Sequence, residues 1–318
     1  MSDAIEKDRA SRKRPLRRRL RRRLAKVGVG LLTYVTPAIY QSYMWLVYAT
    51  SRVEHENTDL LWLLRERYGG LVGIMWHQEV FMVARSFRRF EGHTLASTGD
   101  LGDIITALLK ANNFIVFRGG STKSKSRKRL VLPDMIEHMR TVPGVAFGIT
   151  CDGSKGPAYR VKKGSIVVAH ACSKPMIIAR TWCKRRINLR DWARSYIPLP
   201  FNHIVQTFAG PYFVPPEADD PELLEAFRRE IENELLELTY YVHERIGDLP
   251  ETLDFGFPDG WQPKWGGRLP HRPLEAPQGH PALEEKRAEP MGEKFKKLQR
   301  EAIERVAREN SARRDAAL

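Results

Sequence analysis

An α/β domain on a mainly parallel central sheet flanked by helices is what the sequence predicts, and two observations predict it. Short apolar runs alternate with helix-like segments from residue 71 to residue 210, the pattern of strands joined by helical crossovers. The chain is also long enough, at 318 residues with 42% hydrophobic and 9% aromatic content, to bury a sizeable core.

The elements follow in order. Residues 56–67 read as a helix. LVGIMW (71–76) is an apolar strand, and 78–89 a helix. HTLAST (93–98) is a strand, DIITALLKAN (103–112) a helix with its apolar residues one turn apart, and FIVF (114–117) a strand. Residues 127–141 form a helix, VAFGIT (145–150) a strand, and GSIVVAHACS (164–173) a helix despite its two valines. PMIIARTW (175–182) and IVQTFAG (204–210) close the series as strands. Residues 221–246 make a long, charged amphipathic helix. Residues 247–292, rich in Pro and Gly without periodicity, read as tail or linker, and 293–316 as a basic terminal helix.

Charge divides the chain further. Of the formal net charge of +15, residues 1–26 carry +9, with 12 Lys/Arg against 3 Asp/Glu. Such an arm is drawn to any polyanion, nucleic acid or anionic membrane. The next segment favours the membrane. VGVGLLTYVTPAIYQSYMWLVYA (27–49) has 23 positions and no charged side chain, long enough for a bilayer crossing of roughly 20 residues. Its glycines, Pro37, Gln41 and Ser42 argue for interfacial or re-entrant seating over spanning. Its tyrosines and Trp45 are the types that settle at a lipid–water boundary. No helix-turn-helix, zinc-finger or RNA-recognition signature appears, so nucleic acid is not expected as a partner. The expected organisation is a basic arm (1–26), a membrane-associated helix (27–50), an α/β domain (51–216), a C-terminal helix (217–246) and a tail (247–318). Cys151, Cys172 and Cys183 lack metal-site spacing, and no disulfide framework is implied.

In open α/β sheets, sites form beyond the carboxyl ends of strands. Four stretches fall there: Trp76-His77; STGDLGD (97–103); Arg118 with Gly119, Gly120 and Ser121; and CDGSKGP (151–157). A strand-end His is a candidate general base. The basic residues are candidate anion binders. No Gly-x-Ser-x-Gly elbow is present, so a serine acyl-enzyme is not indicated.

The order and spacing of these stretches resemble the lysophospholipid acyltransferase superfamily. The matching residues are His77, FIVFR with Arg118, ITCDGSKGP with Asp152 and Gly153, and KPMIIA with Pro175. The likeness extends to a bacterial branch labelled a domain of unknown function, through WH, a GD helix start and DWARSYIPLPFNHIV (191–205). It covers roughly residues 50–216. It implies a glycerolipid acyltransferase-like fold and transfer of a fatty acyl group from a CoA or acyl-carrier-protein thioester to a lysophospholipid or glycolipid hydroxyl. His77 would be the base. Arg118, Gly119, Gly120, Ser121, Asp152, Gly153, Lys155 and Arg160 would bind substrate, with Lys123 and Lys125 more loosely involved. Membrane lipid, the acyl thioester donor and acyl-carrier protein are the expected partners. No cofactor or metal is expected. The expected location is the cytoplasmic face of the inner membrane.

One departure matters. The superfamily's His-x4-Asp/Glu pattern would place an acid at position 82, which is Met82. The carboxylate partner of His77 is therefore open, with Asp103 first, Asp100 second and Asp152 third. Glu79, two residues along a helix, points away. The alternative to an enzyme is an inactive, lipid-binding relative.

Overall fold

The computed structural model describes residues 28–119, 131–248, 257–266, 268–270 and 272–285. The basic arm, the loop holding Gly120, Ser121, Lys123 and Lys125, and the basic terminal segment lie outside the described residues.

A seven-stranded sheet forms the centre: β1 (Arg52–Glu56), β2 (Gly70–Met75), β3 (His93–Ala96), β4 (Ile115–Arg118), β5 (Val145–Thr150), β6 (Met176–Cys183) and, after a hairpin, β9 (His203–Tyr212). The order is β1-β9-β6-β2-β5-β3-β4. Strands β6, β2, β5, β3 and β4 are parallel. β9 runs antiparallel to β6, and β1 is parallel to β9. A separate hairpin pairs β7 (Arg186–Asn188) with β8 (Tyr196–Pro198). The mainly parallel sheet flanked by helices is therefore the architecture of the chain.

β2 is buried at all six positions, as a central strand covered on both faces must be. It pairs with β5 from Gly70↔Val145 to Met75↔Thr150 and with β6 through Val72–Ile74. One face carries α1 (28–49), α2 (Asp59–Tyr68), α3 (Val80–Ser86) and α4 (Asp100–Lys110). Their core includes Met44, Leu64, Met82, Leu109 and Phe208. The other face carries α5 (Val131–Thr141), α6 (Lys163–Ala171) and most of α7 (Pro221–Ile246), around Ile74, Met135, Ile166 and Leu235.

This layering fixes where a site can form. β2 leaves the sheet towards α3 on one face. Its neighbour β5 leaves towards α6 on the other. Adjacent strands whose chains depart to opposite faces open a crevice at their carboxyl ends. That crevice lies between Met75 and Thr150.

α1 is two-sided. Tyr40, Met44 and Val47 are buried, and three of its tyrosines face the protein. Tyr40 donates to Phe81 O at 2.7 Å, Tyr43 to Pro198 O at 2.5 Å, and Tyr48 shares a bond with Ser86 Oγ at 2.7 Å. Leu31, Tyr34, Ile39 and Trp45 point outward, Tyr34 87% exposed and Trp45 66%. No helix among the described residues is long and apolar enough to cross a membrane.

Several elements differ from the reading above. The helix expected over 78–89 is three pieces: a 3₁₀ turn (His77–Glu79), α3, and a second 3₁₀ turn (Arg88–Phe90). β1, β7 and β8 had no counterpart in the sequence reading. The described residues between 257 and 285, read as tail or linker, run against the body. Tyr68 Oη donates to Leu274 O and accepts from Ala276 N, Trp261 Nε1 reaches Asn233, and Arg272 bridges Glu230 and Glu234. Pairing that uses side-chain anchors without periodicity leaves no pattern to read.

Candidate active site

The apolar run of β2 ends at Trp76, which is fully buried. Its indole donates to Thr239 Oγ1 at 2.9 Å on α7 and meets Tyr159 edge-on at 5.2 Å. This anchor sets His77 at the mouth of the crevice, half-buried, in the first position of the 3₁₀ turn.

Two contacts fix His77. Its backbone N–H donates to Asp152 Oδ1 at 2.9 Å, and its ring Nδ1 lies 3.2 Å from Thr150 Oγ1. The Trp192 ring stacks on the imidazole, with centroids 5.1 Å apart and planes at 24°. Among the described residues no hydrogen-bond partner is found for Nε2. In the tautomer that gives Nδ1–H to the threonine oxygen, Nε2 carries the lone pair. Burial pushes the imidazole below its usual range; the charge of Asp191 opposes this and that of Lys162 adds to it. Burial thus favours the neutral form of the ring at the crevice.

Trp192 reaches the ring because the β7–β8 loop folds back over CDGSKGP. Gly156 has φ of 67°, and a Cβ there would come within 2.5 Å of the Trp192 ring, so only glycine admits that approach. Asp191 caps its own loop, accepting from Ser195 N at 2.8 Å.

The sequence-predicted residues divide sharply. Asp152 is buried to 1% exposure. Its carboxylate accepts the backbone N–H of His77, and burial pushes its pKa up to about 6 against the pull of nearby backbone N–H groups and of Lys162. It ties the ends of β2 and β5 to the following loop and is closed to substrate. Gly153, at φ of 71°, donates its N–H to Thr150 O at 3.1 Å, and Gly119 donates to Ala96 O at 3.0 Å. Of the three glycines expected to bind substrate, Gly119 and Gly153 thus have their N–H groups committed to the fold, and Gly120 lies outside the described residues. Lys155 is exposed, and Arg160 pairs with Glu232 at 3.5 Å.

Asp103 does not meet the imidazole. It pairs with Arg118 at 2.5 Å, and the same guanidinium donates to Gly102 O and Thr106 Oγ1. Arg118, at the end of β4, thereby holds the first turns of α4. Asp100 is an exposed first-turn residue of α4. β3 and β2 are separated by β5, which sets their ends roughly 10 Å apart at the usual strand spacing. Glu79, expected to point away from His77, turns into the core. It takes Arg180 Nη1 at 3.3 Å and Thr181 N at 2.5 Å, and burial pushes its pKa up to about 7. Gln78 accepts from Tyr159 Oη at 2.8 Å and from Arg180. Met82 is fully buried in the core beneath α3. The three cysteines are buried free thiols, Cys151 Sγ donating to Met75 O at 3.2 Å.

Thr150, Lys162, Asp191 and Trp192 were not singled out. The one available signal was DWARSY itself, noted as a likeness with no role attached.

No protein-family model matches the chain. An uncharacterized protein of Rickettsia prowazekii (strain Madrid E), RP090, is 29% identical over 194 residues, covering 59% of this chain and 84% of that protein. Among solved structures, the 1-acyl-sn-glycerophosphate (LPA) acyltransferase PlsC from Thermotoga maritima aligns at a TM-score of 0.40 with 18% identity, over 63% of this chain and 76% of that one.

Proposed function

We propose that the protein is a membrane-seated acyltransferase that moves a fatty acyl group from a CoA or acyl-carrier-protein thioester to a hydroxyl of a lysophospholipid or glycolipid. The observation that carries this reading is the imidazole of His77. It stands at the crevice of an α/β sheet, oriented through Nδ1 by Thr150 and by the Trp192 ring, with no hydrogen-bond partner for Nε2 among the described residues. The motif order of the sequence supports the same class.

In the proposed reaction, Nε2 takes the proton of the acceptor hydroxyl as its oxygen bonds to the thioester carbonyl carbon. The tetrahedral intermediate then expels the thiolate, which takes the proton back from the imidazolium. General-base help of this kind is worth about 10²–10⁴-fold. A neutral threonine orients the ring where a carboxylate does so in serine-protease triads. The nearby Asp191 charge stabilises the imidazolium at longer range. Lys162, the residue preceding α6 and a cation felt by His77, is assigned the anionic part of the substrate, ahead of Lys155 and Arg160. Arg118 holds α4. No cofactor enters this scheme.

The exposed apolar face of α1 supports an interfacial seat. Trp62 and Leu63 of α2 are also exposed. Three buried thiols without a disulfide suit a reducing compartment, in keeping with the cytoplasmic face of the inner membrane.

A second reading, an inactive lipid-binding relative, is favoured by Met82 and by the lack, among the described residues, of a carboxylate hydrogen-bonded to the His77 ring. Purified protein given labelled acyl thioesters and a panel of lysophospholipids and lipid A precursors decides between them. Transfer to one acceptor supports the enzyme. Vesicle binding without transfer to any supports the second reading.

A further inference from the structure

At the opposite end of the sheet lies a cavity of about 240 Å³ lined by Tyr48, His55, Arg85, Arg88, Arg89 and Asn113. β1 runs antiparallel to β2, so His55 near its end lies by the amino ends of the parallel strands, where α3 finishes and β4 is about to begin. The lining carries three guanidinium groups and no carboxylate. Among the described residues, no ion pair joins any of the three arginines to an acid. Arg85 lies 4.8 Å over the Tyr48 ring, and its Nε is buried without a hydrogen-bond partner. Tyr48 Oη is held by Ser86, and His55 Nδ1 by Gln206 at 3.0 Å. Arg89 lines the cavity although its side chain is exposed, and its charge acts on both His55 and Tyr48.

Three unneutralised arginines around one concavity repel one another, and an anion relieves that cost. A planar guanidinium with an unsatisfied N–H suits a phosphate oxygen. The cavity also adjoins the apolar face of α1. Trp45, one helical turn before Tyr48, is 66% exposed, and Leu46 beside it 43%.

We propose that this pocket, separate from the His77 crevice, binds the phosphodiester headgroup of an anionic lipid and fixes how the protein sits on the membrane. The proposal rests on the interfacial seat of α1 given above. It assigns Arg85, Arg88 and Arg89 the phosphate and Trp45 the acyl side of the boundary.

The test uses the full chain with vesicles of phosphatidylcholine alone and of phosphatidylcholine doped with phosphatidylglycerol. Wild type is compared with Arg88→Gln/Arg89→Gln, two exposed positions whose loss spares the core. The control is Lys184→Gln/Arg229→Gln, which removes the same charge elsewhere. The pocket variant is expected to lose about thirtyfold in partition to the anionic vesicles, roughly fivefold per arginine. It should keep wild-type partition to phosphatidylcholine, and the control should stay within a few-fold of wild type. At matched ionic strength, inorganic phosphate should displace wild type from anionic vesicles better than chloride does. Equal losses in pocket variant and control, or equal displacement by phosphate and chloride, would reduce the effect to diffuse charge and overturn the pocket. If wild type bound neither vesicle, the seat of α1 and the lipid assignment would both fall. Thermal stabilisation by inorganic phosphate that Arg88→Gln/Arg89→Gln abolishes would then mark a free-phosphate site instead.

Discussion

Two strand ends of the same parallel sheet carry the residues that chemistry would want, and they are built in opposite ways. At the end of β2, the backbone of His77 is clamped by Asp152 while its ring faces the crevice, with no hydrogen-bond partner for Nε2 among the described residues. At the end of β4, Arg118 is spent on its own fold, bound to Asp103, Gly102 and Thr106 of α4. The first corner uses buried polar groups to hold one functional atom out. The second uses a functional-looking group to hold a helix in. A motif residue's type is therefore a weaker guide than which of its atoms remain unengaged.

The sharpest way to break this comparison is His77→Ala, for which transfer should fall by about 10²–10⁴-fold with an unchanged circular dichroism spectrum. Retention of rate would move the chemistry out of the β2–β5 corner. Next in size, Thr150→Val removes the oxygen that orients Nδ1. Losing one neutral hydrogen bond should cost about fivefold, in kcat and not in KM. A change confined to KM would show Thr150 to be a binding residue.

The charges flanking His77 give a signed test. Burial, with Lys162, holds the imidazole below its usual range and Asp191 opposes this. The base must be neutral to work, so the acidic limb of kcat/KM should lie below the ordinary histidine value of about 6.5. Lys162→Gln should move that limb to higher pH and Asp191→Asn to lower pH. An unmoved limb in both variants would show that neither charge acts on the ring. The smallest effect belongs to Asp103→Asn. Its pair with Arg118 is largely exposed on the acid's side, so stability should drop by about 0.2–1 kcal/mol in chemical denaturation, with transfer within about threefold of wild type.

What was legible in the sequence follows from these physical differences. The central strands β2 and β5 are nearly continuous apolar runs, and α7 is an uninterrupted amphipathic pattern opened by Asp220, whose side chain caps Glu222 N, and closed by Gly247. Both signals are local. His77, Arg118 and Asp152 could be placed at strand ends because the runs before them end there. β1 escaped notice because RVEHE is polar at four of five positions and pairs only at the sheet edge, with β9. Trp192 and Asp191 come to His77 through a hairpin loop distant in sequence, and Lys162 reads as a solvated residue before a helix. In the sequence Asp103 ranks first as the His77 partner because an acid at the start of the helix after a neighbouring strand looks able to reach the same sheet edge; in the structure it pairs with Arg118. Only the interposed β5 and the facing Arg118 decide it.

One measurement tests the central claim, that the chemistry belongs to the β2–β5 corner alone: initial rates of acyl transfer for His77→Ala and Asp103→Asn, side by side in liposomes with the best acceptor. The account predicts a loss of at least about 10²-fold for the first and nearly wild-type rate for the second. Comparable large losses in both would contradict it, and would make Asp103 the carboxylate partner that Thr150 has been assigned to replace.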